Sequence, residues 1–88
     1  MSTNDMPLAE RASRLAMTIL KELVAERALY SQDEFSALVS VFRQTCVEAG
    51  ADPQTVLMTA SHALCAEQPG FQQRLERRAA AVASLPLH

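Results

Sequence analysis

The chain has 88 residues, 49% of them hydrophobic and 20% charged, with a formal net charge of −2. That length makes one domain that buries roughly 60–65% of the surface its unfolded form exposes, and the apolar share excludes a disordered chain. The acidic balance argues against a general affinity for nucleic acid or an anionic membrane.

Met1 to Glu10 is polar and acidic rather than basic then apolar, unlike a secretion signal. No apolar run approaches the roughly 18–20 residues of a membrane span. Two cysteines do not make a disulfide framework. A cytoplasmic, reduced protein is the expectation. Charge is uneven along the chain. Residues 1–34 carry four basic and six acidic groups, residues 35–68 one and three, and residues 69–88 three and one. The last part is therefore mildly basic, through Arg74, Arg77 and Arg78.

Residues 1–6 read as a flexible lead-in, with Asp5 placed to cap a helix starting near Pro7. Apolar residues then recur at Leu8, Ala12, Leu15, Ile19 and Leu23, widened by Ala16, Leu20 and Val24. Glu10, Arg11, Arg14, Thr18, Lys21 and Glu22 lie largely on the other side. This spacing predicts an amphipathic helix over 7–29, the longest of the chain. Glu10 and Arg14, four apart, attract; Glu22 and Glu26, also four apart, repel.

Ser31-Gln32-Asp33-Glu34 has the form of a capping box, and Tyr30 with Phe35 supplies a hydrophobic staple. A second helix is expected over 32–49, burying Phe35, Leu38, Val39, Phe42 and Cys46. Gly50 stands where a left-handed residue closes a helix. Asp52-Pro53 reads as cap and first turn of a third helix over 53–67, with Val56, Leu57, Ala60, Ala63 and Leu64 as its core stripe. Pro69-Gly70 ends it. A fourth helix over 71–84 turns Leu75, Ala79 and Val82 inward, and Pro86 closes it. The expectation is an all-α fold, a compact bundle or orthogonal array of four helices. Residues 7–85 form its single domain and 86–88 a C-terminal tail.

Chemistry-bearing residues are few. Cys46, His62 and Cys65 are soft-metal ligand types, but a closed zinc site needs four ligands, and the fourth would have to be His88 or a carboxylate. A reactive thiolate needs a helix N-terminus or a nearby cation, and both cysteines lie mid-helix or later. Two glycines leave no phosphate-binding loop. No catalytic residue, metal, cofactor, small-molecule substrate or membrane is inferred, and the protein is not expected to be an enzyme.

Cys46 lies four before Gly50, Ala51 just after it and the branched Val56 six after it. On these residues the segment Gln44 to Ala60 resembles the helix-turn-helix of DNA-binding regulators. The resemblance implies a third helix offering Gln54, Thr55, Met58 and Thr59 to base edges. Charge opposes it: Pro53 to Ala66 holds no Lys or Arg to contact phosphates, and Asp52 stands at its start. Nucleic acid is thus a disfavoured partner.

Pro53 to Ala66 contains no formal charge at all, and its second face carries Met58, His62 and Cys65. A helix neutral all round is usually buried. The alternative is that this face meets another chain through adaptable Met and small residues. A small core of Leu, Val and Ala also favours association. The expected function is protein–protein contact, as an adaptor, regulatory or accessory subunit, with a homodimer as one form. The candidate partner-binding residues are Met58, His62 and Cys65, with Arg74, Arg77 and Arg78 placed to steer an acidic partner.

Overall fold

The computed structural model describes residues 6–87. Asp5 and His88, invoked above as a cap and a metal ligand, lie outside them. The protein is all-α: α1 (Leu8–Val24), α2 (Gln32–Ala49), α3 (Pro53–Glu67), α4 (Phe71–Arg77) and α5 (Ala79–Ala83) pack against one another as a helical bundle. α1 touches each of the other four helices. Its apolar stripe is the reason: Ala12, Ala16 and Ile19 are fully enclosed, and Leu20 and Val24 are buried beside them. Alanines at two enclosed positions let neighbouring helices come close, while Ile19 and Leu20 supply volume. Phe42 of α2, Leu64 of α3 and Phe71 of α4 close the core around them. Each such side chain contributes roughly 1.5–3 kcal/mol by leaving water.

α1 is shorter than the periodicity predicts. It stops at Val24, because Ala25 turns to extended backbone (φ −68°, ψ 141°). Glu22 then accepts the Leu29 N–H through both carboxylate oxygens, at 3.1 and 3.2 Å. The carboxylate expected to repel Glu26 along a continuing helix instead holds the connector that follows the helix. With 17 residues against 18 in α2, the first helix is not the longest. The Glu10–Arg14 pair forms, at 3.6 Å.

α2 begins where the capping box places it. The Glu34 N–H donates to the Ser31 hydroxyl at 3.1 Å, and the Ser31 N–H donates to the Glu34 carboxylate at 2.8 Å. Val39, Phe42 and Cys46 are buried, whereas Phe35 and Leu38 are half-buried at the edge of the core. Thr45 is also buried, its hydroxyl satisfied by the Val41 carbonyl at 2.8 Å. Gly50 closes the helix in the left-handed region (φ 69°, ψ 27°), and the Ala51 N–H reaches back to the Cys46 carbonyl at 2.9 Å. Asp52 caps α3 by accepting from the Thr55 N–H at 3.1 Å.

The fourth helix is broken. Arg78 leaves helical geometry (φ −107°, ψ 18°), and its N–H bonds to the Leu75 carbonyl at 2.9 Å, a tightened last turn. The bend brings Leu85 and Leu87 onto the core, so Leu87, just after Pro86, is anchored. Arg43 of α2 donates to the Pro86 carbonyl at 3.0 Å and clamps the tail. Ala79, expected to point inward, is exposed, and α5 has no fully buried residue.

The capping box predicts a pH signature. The Ser31 N–H, and then its hydroxyl, hold the Glu34 carboxyl below the usual carboxylate range. A depressed carboxyl stabilises the fold above its unfolded pKa and loses that contribution as pH falls through the folded one. Glu34→Gln should therefore lower the urea midpoint at neutral pH, and the deficit should shrink on acidification below the carboxylate range. A deficit independent of pH would contradict this origin.

Candidate functional site

The neutral third helix is only partly buried. Leu57, Ala60 and Leu64 face the core, with Val56 and Ala63 half-buried at its margins. The opposite side is open: Met58 is 61% exposed, His62 is exposed and Cys65 is half-buried. A fully apolar or neutral helix is expected inside. Here an 88-residue chain places only a few helices around α1, leaving one side of α3 without cover.

What adjoins that side is a groove. α5 touches α1 and α4 but not α3, and the space between α3 and the α4–α5 segment stays open. One part, of about 550 Å³, lies between Ser61, His62 and Cys65 on α3 and Leu75, Glu76 and Val82 opposite. A second part, of about 340 Å³, continues past Leu57 and Met58 to Leu85 and Leu87, with Leu20 of α1 also in its wall. Ser61, Leu75, Val82 and Ala83 line both parts, so the two hollows adjoin along one trough-like face. Among all these lining residues, Glu76 carries the one formal charge.

The structure therefore brings Met58, His62 and Cys65 to one site but does not bring the arginines to it. Arg74, Arg77 and Arg78 are exposed and absent from the groove lining. Arg74 lies over the Phe71 ring, 5.7 Å from its centroid, and reaches the Gln68 side-chain oxygen at 3.5 Å. Its guanidinium and stem shield the otherwise enclosed Phe71. The opposite wall, from Leu75 to Ala83, was not legible as a site. It depends on the break at Arg78, which no Pro or Gly announces; Val82, alone among alanines, was the available signal.

The metal-ligand types are scattered. Cys46 is enclosed in the core, whereas His62 and Cys65 are on the groove side of α3. Among the described residues no group of three His, Cys, Asp or Glu side chains converges on a point. Burial, and then the charge of Asp52, push the Cys46 thiol up, opposite to what a nucleophile needs.

At the helix-turn-helix segment, Gln54, Thr55, Met58 and Thr59 are all exposed, as base-reading residues would be. The Asp52 carboxylate sits among them, accepting also from the Thr55 hydroxyl at 3.0 Å. Arg43 is engaged with the tail and Arg74 with Phe71, so neither supplies a basic rim around α3. No helix among the described residues is long and apolar enough to cross a membrane. Comparison with models of known protein families, with curated proteins and with solved structures finds no match.

Both cysteines are free thiols, and their placement predicts distinct reactivities. One thiol, Cys65, should react readily with a thiol reagent in the native protein, and Cys46 should react only on unfolding. Cys65→Ser should abolish the fast phase. Two thiols reacting at one rate in the native protein would contradict the assigned burial.

Proposed function

We propose that this protein is a non-catalytic helical module that acts through protein–protein contact at the groove between α3 and the α4–α5 segment. The observation that carries the proposal is the placement of Met58 and His62 outside the core, with half-buried Cys65 at its edge, beside a trough with almost no formal charge. Large apolar side chains at the edge of a neutral trough favour contact with an apolar surface. Met adapts its shape to such a surface with little strain. The free thiols suit a module working in the cytoplasm as an adaptor or accessory subunit.

The arginines play no part in this groove, so an acidic partner is not implied by it. A second reading, DNA binding through α3, is supported by the exposure of Gln54, Thr55 and Thr59 and opposed by the absence of Lys and Arg from Pro53 to Ala66.

A photo-activated cross-linking residue at Met58 should give discrete, saturable adducts in cells producing the protein, with a second copy or another chain. The same residue at Val47, equally exposed but on α2, should not. Equal, diffuse labelling from both positions would contradict a specific contact. In a mobility-shift titration the protein should show no retardation of duplex DNA that weakens as salt rises; such a shift would favour the second reading.

A further inference from the structure

We propose that residues 79–87 form a strap that lifts off the fold and unwinds as a unit, turning about Arg78 while α1 to α4 stay folded. Lifted, it takes away one wall of the trough and opens Leu20 and Leu57 to solvent. This movement is independent of what the groove binds. On the reading proposed above, it sets which of two forms of the groove a partner meets.

A segment resists local opening through the apolar surface it buries and the bonds that tie it to its neighbours. Both are small here. α5 has no buried residue. Past Arg78 the strap rests on Leu85 and Leu87, each 9% exposed, and on half-buried Val82. Against these three side chains stands the conformational freedom regained by every residue that comes loose. The rest of the fold, by contrast, encloses Ala12, Ala16, Ile19, Phe42, Cys46 and Phe71 completely.

Hydrogen bonding points the same way. The N–H groups of Val82, Ser84, Leu85 and Leu87 donate to carbonyls between Arg78 and Leu85, and the Ser84 hydroxyl donates to the Ala80 carbonyl. These bonds shape the strap without fastening it to α1 or α3. A five-residue helix freed from its anchors does not hold them. The Arg43 guanidinium does reach across to the Pro86 carbonyl, but that bond is exposed and competes with water. The hinge is already formed: Arg78 has left helical geometry (φ −107°, ψ 18°), and its side chain is exposed.

Beneath the strap lies an apolar face. Leu20 of α1 and Leu57 of α3 are buried, and they share the hollow of about 340 Å³ with Leu85 and Leu87. The strap is therefore this chain's own occupant of that face.

Amide hydrogen exchange in the native full chain tests the proposal with two variants that act on different openings. Ser31→Ala removes the hydroxyl that accepts the Glu34 N–H, which weakens the docked and lifted forms alike against the unfolded chain. It should speed exchange at Ile19 several-fold and leave Val82, Ser84 and Leu85 unchanged. Leu87→Ser should instead speed those three strap amides by one common factor. A thiol introduced by Leu57→Cys in a Cys65→Ser chain reports the face beneath. Leu87→Ser should speed its alkylation by the same factor, and Ser31→Ala should not. Strap amides that accelerate together with Ile19 in Ser31→Ala would mean that the segment opens only on global unfolding, which overturns the proposal. Strap amides that respond unequally to Leu87→Ser, or a Leu57→Cys thiol indifferent to it, reduce the movement to fraying and overturn it as well. The Met58 cross-linking tests the groove contact separately.

Discussion

Every other helix in this protein leans on the buried stripe of α1. Ala12, Ala16, Ile19, Leu20 and Val24 are enclosed because α2, α3, α4 and α5 all close on the same helix. A chain this short has no second layer to offer. Elements arranged around one central helix each keep an outward face, and in most of them that face is polar. α3 departs from this, as the short alanine-rich α5 does: its Met58–His62 side has neither charge nor cover. The open groove thus arises from the same packing that makes the domain stable.

Where local chemistry decided the structure, the sequence could be read closely. The Ser31–Glu34 box, the left-handed Gly50 and the Asp52-Pro53 start occupy the positions that capping rules assign them. Each depends on residues within one turn of itself. The stripes of α1 and α2 were legible for a related reason, since helical period alone sorts their inner and outer faces.

Less legible were features set by distant contacts. The apolar pattern runs past Val24, but the Glu22 carboxylate captures the Leu29 N–H and holds the connector that follows the helix end. Nothing between Phe71 and Ser84 signals an interruption, yet the path to the core for Leu85 and Leu87 passes through a bend at Arg78. That bend swings Ala79 outward and separates α5 from α3, creating the wall the groove needs. The α3 half of the site was visible as an anomaly of composition. Its α4–α5 half was not, because it depends on tertiary placement. The arginines showed the opposite failure: they form a cluster in sequence, but Arg74 turns to Phe71 and the group stays outside the trough.

The groove depends on the Met58 side of a neutral helix facing outward from the folded monomer. The most direct measurement is nuclear magnetic resonance of methyl-labelled methionines with a soluble paramagnetic agent, at high dilution. Met58 should broaden far more than Met17, which is half-buried against the core. Equal shielding of the two methyls in a dilute, folded monomer would place the α3 face in the core and contradict the account.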